Sequence, residues 1–192
     1  MMNTVSDTPE TQTKTLVSAE PAPGGGLTLD EFREVFRNYP SGVALVTATD
    51  GTRLAALTAT SVCSISAEPP LILFSLANQS SASPVICAAE TVVIHLLTAD
   101  QLHLAKLGAT SGIDRFADES LWERLPTGEP VFHGPETWVR ARVLNLLSAG
   151  SSTVVLVHAL ESSAAAPGES EAPLVYHNRT WHALGDASRL AD

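Results

Sequence analysis

Positive charge is scarce in this chain. Its 192 residues carry 11 Lys and Arg against 21 Asp and Glu, a formal net charge of −10 at pH 7. Nucleic acids and anionic membrane surfaces are held by clustered basic side chains, so this balance argues against both as partners. It does not exclude a small anionic ligand, because a local nest of main-chain amides holds a phosphate against an unfavourable overall charge. Cysteine is scarcer still. Cys63 and Cys87 are the only two, they form no CxxC, and they read as buried free thiols. No apolar run approaches the ~20 residues needed to span a bilayer. The opening Met1-Met2-Asn3-Thr4-Val5-Ser6-Asp7 has neither the basic start nor the apolar stretch of a secretory leader. A cytoplasmic protein is the expectation.

The motifs of several enzyme classes are missing as well. The six histidines, His95, His103, His133, His158, His177 and His182, make no HExxH and no carboxylate–histidine set, so no metal site is expected. No G-x-S-x-G elbow occurs, and Cys63 has no cationic neighbour in sequence to activate it. Gly24-Gly25-Gly26 follows no strand and lacks the GxGxxG spacing, so it reads as a linker.

What is present is mostly strand. The length favours one domain with a proper core. Residues 1–27 are rich in Thr, Pro, Ser and Glu and read as a disordered tail. Order is expected over 28–185, with a short tail at 186–192. Thr28 with Glu31 three residues on has the capping-box spacing, and Phe32, Val35 and Phe36 then share one face of a short helix. Strands follow at 43–49, 54–66, 71–76 and 91–97, with Asp50-Gly51 as a hairpin turn. Short helices are expected over 83–89, with Ser83 as cap, and over 100–107. Residues 108–135 read as loop. Two long strands, 138–147 and 153–160, precede an exposed loop at 162–172 and a closing hairpin around Asn178-Arg179. Many strands with few short helices suggest a closed or nearly closed β-barrel with peripheral helices, a mainly β fold.

Three hydroxyl-rich segments are the places for chemistry: Pro40-Ser41-Gly42-Val43, Thr58-Ala59-Thr60-Ser61, and the run from Asn78 through Ser80-Ser81-Ala82-Ser83 to Pro84. The third leads into a helix start, where free amides and hydroxyls suit a phosphate. An ordinary Ser-rich turn is the alternative.

The first two of these segments belong to an ordered set of motifs. Phe32-Arg33 precedes Pro40-Ser41-Gly42-Val43-Ala44-Leu45-Val46-Thr47. Leu57-Thr58-Ala59-Thr60-Ser61, Ser64-Ile65-Ser66 and Pro69-Pro70-Leu71 come next, then Gln101 with Leu104-Ala105, and Asp114-Arg115-Phe116. Pro173-Leu174-Val175-Tyr176-His177 with Trp181 closes the set. In this order the motifs resemble the flavin reductase family, the reductase partners of two-component flavin monooxygenases. The resemblance implies an FMN-binding split β-barrel that forms a homodimer, takes FMN or FAD, and uses NADH or NADPH as hydride donor for a partner monooxygenase. It implies that Pro40, Ser41 and Val43 line the isoalloxazine ring. Thr58, Thr60 and Ser61 would bond its polar edge or ribityl chain, and Ser81 and Ser83 its phosphate. Arg115 would be a phosphate or loop-anchoring cation, with a structural ion pair as the alternative. Tyr176, His177 and Trp181 would face the cofactor or belong to the core. No acid–base dyad is required, since hydride passes between the two cofactors.

One departure stands out. Many members carry Gly-Asp-His at the turn into the penultimate long strand, where this chain has Gly150-Ser151-Ser152. That His is credited with the nicotinamide contact, so Ser152 stands in its place. A flavin-binding protein of the same fold without efficient reductase activity is the alternative reading. Leu57 and Leu107 are smaller departures.

Overall fold

The computed structural model describes residues 15–19, 25–163 and 172–190. The elements, in chain order, are β1 (Thr15–Ala19), α1 (Leu29–Arg37), β2 (Ser41–Gly42), β3 (Ala44–Thr49), β4 (Leu54–Ala59), β5 (Cys63–Ala67), β6 (Pro70–Ala77), α2 (Ser83–Ala88), β7 (Thr91–Leu96), α3 (Leu102–Ala109), β8 (Trp122–Arg124), β9 (Pro130–Phe132), β10 (Trp138–Ala149), β11 (Ser152–Ser163), β12 (Leu174–His177) and β13 (Thr180–Ala183). Short 3-10 turns precede α3 and follow β13, the latter at Asp186–Ser188 within the expected C-terminal tail.

The main sheet runs β4-β3-β7-β10-β11-β6-β5, with β1 added beside β10. A second sheet, β13-β12-β2, and a ribbon of β8 and β9 complete the β structure. Of the expected closed or nearly closed barrel the second form is found: among the described residues no ladder joins the end strands β4 and β5. The gap is bridged instead by one hydroxyl. Ser61 Oγ donates to the Ser75 carbonyl at 3.1 Å and accepts from the Ser75 N–H at 2.9 Å, tying the β4–β5 connection to β6. The mainly β split barrel is therefore the fold.

β3 reads as a continuous apolar run because both its faces are covered. Ala44, Val46 and Ala48 enter the larger core with Phe74, Leu76, Val92, Ile94, Val155 and Val157. Leu45 faces a second cluster with Leu104, Ala105, Phe132 and Leu174. Helix α3 lies close on that side. Gly108 is buried there, and a Cβ on it would stand 2.4 Å from Leu45 Cδ1 and 2.4 Å from Thr58 Oγ1. A buried polar group spans the same layer. His95 Nε2 accepts from the Phe132 N–H at 3.1 Å, which leaves Nδ1 to donate to the Leu45 carbonyl at 2.9 Å. Burial lowers its pKa to about 4, so the ring is neutral and structural.

The capping box is formed: Glu31 N–H donates to Thr28 Oγ1 at 3.3 Å, and Thr28 N–H to Glu31 Oε2 at 2.8 Å. The stretch 108–135, read as loop, carries the paired strands β8 and β9, and three further details differ from the sequence reading. Within the segment expected to be a disordered tail, Thr15–Ala19 pairs in parallel with Asn145–Ala149, because β7 covers only Trp138–Arg142 of β10 and leaves that edge open. The rest of that tail up to Gly24 lies outside the described residues, as does most of the expected loop at 162–172. Ser83 is the first residue of α2 rather than its cap; Ala82 takes the cap position and no side chain bonds there. Cys63 is exposed rather than buried, because β5 is the last strand of its sheet.

Candidate functional site

A pocket of about 670 Å³ opens between α1, β2, the β4–β5 connection, β6 and the β12–β13 turn. Each wall follows from local structure. Phe32 and Phe36 of α1 and Tyr39 just past its end remain exposed, with the Phe32 and Phe36 rings in tilted contact at 4.8 Å between centroids. Pairing of β2 with β12 sets Ser41 opposite Tyr176, whose ring packs on Trp181 at 4.6 Å. The Ser61–Ser75 bridge positions Thr60 and Ser61 at the open seam. The β12–β13 turn contributes His177, Asn178 and Arg179, and the Asn178 N–H donates to the Arg37 carbonyl at 3.0 Å, docking the turn on the end of α1.

Of the residues singled out in the sequence, Ser41, Thr60 and Ser61 line this pocket, together with Tyr176 and His177. The others have different surroundings. Val43 is buried in the second core cluster, and Pro40 is exposed beside Ser41. The Thr58 hydroxyl donates to the Ala105 carbonyl at 2.7 Å and holds α3 on β4. Ser81 is exposed in the turn before α2, whereas Ser83 is buried with its hydroxyl 3.9 Å from Cys87 Sγ. Arg115 Nη2 donates to the Thr110 carbonyl at 2.7 Å, while its Nε is buried without a partner. This bond ties it to the loop after α3, and no ion pair of Arg115 is present among the described residues. Ser152 begins β11 opposite Ala149 and Ala77, beside the Asn78–Thr153 hydrogen bond. None of Thr58, Ser81, Ser83, Arg115 and Ser152 lines the pocket.

Three arginines, Arg33, Arg37 and Arg179, line it and were not among the expected site residues, and neither was Ser75. Phe32 was legible as a helix-face residue and, with Arg33, as a motif, and Phe36 as a helix-face residue, but none of them as a pocket wall. The available signal for Arg179 was its place in the turn, read as a bare connection. No carboxylate contributes to the lining, in a chain where acids outnumber bases nearly two to one. Aromatic walls and uncharged hydroxyls suit a planar ring, and the guanidinium groups suit an oxyanion. Among the described residues no group of three His, Cys, Asp or Glu side chains is placed to hold a metal ion, and no helix is long and apolar enough to cross a membrane.

Comparison with known proteins gives the family. The family model described as "Flavin reductase like domain" matches residues 36–185. The NADH:FMN oxidoreductase of Rhodococcus qingshengii is 42% identical over 185 residues, covering 94% of this chain and 91% of that protein. A flavin reductase domain protein from Arthrobacter sp. FB24 superposes with a TM-score of 0.74 at 32% identity, covering 80% of this chain and 94% of that one. BorF, the flavin reductase component of a bacterial two-component tryptophan halogenase, superposes with a TM-score of 0.73 at 26% identity over 82% of this chain and 98% of its own. With most of its length matched by the family model and by a relative of this similarity, the chain belongs to the flavin reductase family of split-barrel oxidoreductases.

Proposed function

We propose that the chain is an NADH-dependent flavin reductase that binds FMN or FAD in the pocket between α1 and the barrel seam. One observation carries the assignment of the site: a single pocket joins the hydroxyls of Ser41, Thr60 and Ser61 to aromatic walls and arginines, with no carboxylate in its lining. The donor set fits a flavin. When bound, the flavin supplies the redox chemistry, accepting hydride from the reduced nicotinamide.

The side chains bind and orient. Ser41 and Thr60 offer hydroxyls to the polar edge of the ring, and Ser61 keeps the seam shut behind it. Pro40 and Val43 support β2, the first from outside and the second from the core. Thr58 acts through α3, whose position it sets. Ser81, in its exposed turn, would meet a flavin phosphate that reaches beyond the pocket, with Ser83 backing it from within. Arg115 orders the loop after α3. Ser152 has no contact with the pocket, so a nicotinamide contact there requires a ligand extending beyond it. Residues 28–185 would form the flavin-binding unit.

A homodimer is supported by uncovered apolar surface. Leu29, Phe32, Val35 and Phe36 of α1 are all more than half exposed, and Ile65, Leu73, Leu146 and Leu156 line an apolar cleft on the main sheet. A second copy burying either face would remove it from water. The relationship to BorF supports supply of reduced flavin to a separate oxygenase component. A cytoplasmic place follows from the need for a nicotinamide pool. The test is direct: added FMN or FAD should change its fluorescence on binding, and NADH absorbance should fall only when flavin is present. A protein that leaves flavin fluorescence untouched and oxidises no NADH refutes the assignment.

A further inference from the structure

The β12–β13 turn contains a residue out of place. Asn178 and Arg179 both have positive φ, 46° and 60°, as a two-residue hairpin turn of this hand requires. Asparagine tolerates the first position. The second is the place for glycine, because a Cβ there meets the backbone, yet this chain puts arginine in it. A side chain kept against its conformational preference is expected where it does something else.

The surroundings say what. Arg179 has no ion-pair partner among the described residues and lines the pocket with Arg33 and Arg37. The bond from Asn178 N–H to the Arg37 carbonyl joins the turn to the end of α1, so the arginines share one wall. Arg33 and Arg37 each touch one exposed carboxylate of their own helix, Asp30 at 3.7 Å and Glu34 at 3.2 Å, and neither carboxylate lines the pocket. A wall of this kind in an acidic chain attracts an oxyanion strongly at short range and repels little. The phosphate of the flavin has its own proposed seat at Ser81, which does not line the pocket. The anion left for the arginines is the second substrate's.

We infer that Arg179, with Arg37 and Arg33, receives the diphosphate of the nicotinamide dinucleotide. This rests on the reductase reading above. A guanidinium fork suits adjacent phosphate oxygens, whereas a lone ammonium acts as a point charge.

Arg179→Gly separates binding from folding, because glycine is the residue the turn prefers. The variant should melt at the same temperature as the parent or higher. Its KM for NADH should rise about five- to tenfold, the loss of one partly exposed charge-assisted contact, with kcat nearly unchanged. The KM for NADPH should rise by a similar factor, since the diphosphate is common to both. The Kd for FMN, read by fluorescence, should not change. Added salt should raise the KM of the parent more than that of the variant. Arg179→Lys should fall between the two.

An unchanged KM for NADH overturns the inference. A raised Kd for FMN with NADH unaffected assigns the arginine to the flavin phosphate and also overturns it. An effect on NADPH alone gives the wall to the 2′-phosphate and rejects the diphosphate. If the parent oxidises no NADH in the presence of flavin, it is the reductase reading that fails.

Discussion

Replacing Gly108 by alanine sets two physical effects of opposite sign against each other. In an exposed helix the change is favourable by roughly 1 kcal/mol, because glycine is the poorer helix former. Gly108 sits where α3 meets β3 and β4, and the added methyl would stand 2.4 Å from both Leu45 Cδ1 and Thr58 Oγ1, and 2.9 Å from Thr58 N. None of the three yields easily. Leu45 is fully buried. Thr58 Oγ1 is committed to the Ala105 carbonyl at 2.7 Å. Thr58 N belongs to backbone paired with Leu45 in the β3–β4 ladder. The helix must therefore move outward, at an overpacking cost of about 1–3 kcal/mol, with roughly 1 kcal/mol more if the Thr58–Ala105 hydrogen bond opens. After the propensity gain, a net loss of about 1–3 kcal/mol is expected with that bond opened. For a domain of this size that lowers Tm by roughly 3–10 °C. Thermal unfolding of parent, Gly108→Ala, Thr58→Ala and the double variant measures it. The double variant should be more stable than the sum of the singles implies, since removing the hydroxyl removes one clash. A Gly108→Ala protein as stable as the parent refutes the packing argument.

The remaining predictions concern stability with pH, the seam and the first helix. His95 has a folded pKa of about 4 against an ordinary 6.5, so the unfolded chain binds the extra proton first. Its contribution is fully present above about pH 6.5 and fades as pH falls towards 4, a loss of about 3 kcal/mol in urea unfolding. His95→Gln should flatten that dependence, and an unaltered slope would discount the histidine. Ser61→Ala removes the hydroxyl that both donates to and accepts from Ser75, leaving the seam N–H unmatched; flavin affinity should drop several-fold with a stability cost of about 1–3 kcal/mol. Equal flavin affinity in the variant would take Ser61 out of the site. Thr28→Ala should cost about 1 kcal/mol through the lost cap, measured by chemical denaturation, and a neutral result would mean the helix is held by other contacts.

Much of the fold was legible in residue order. The cap at Thr28 and Glu31, the Asp50-Gly51 turn and the double-sided apolar run of β3 are local signals, and each appears where the chain calls for it. The hydroxyls of Ser41, Thr60 and Ser61 were legible as candidates because uncharged donors stood in two of the hydroxyl-rich segments. Their separation from Thr58 and Ser83 was not, since Thr58 is held within β4, Thr60 and Ser61 lie past its end, Ser83 sits in α2, and only tertiary packing says which of them meets a pocket. The edge of β10 that takes Thr15–Ala19 was equally hidden, because a vacant edge belongs to a sheet and not to a segment.

What the sequence determined by itself was the class of fold, the family, and the absence of the common hydrolytic and metal-binding motifs. These depend on composition, periodicity and ordered motifs. Tertiary structure alone decided that the barrel path stays open, that one serine bridges it, and that arginines 33, 37 and 179 meet at one wall. Arg33 and Arg37 lie more than 140 positions from Arg179, and no local preference brings them together. The helix-to-turn bond and the sheet pairings do so, and they exist only once the whole chain is folded.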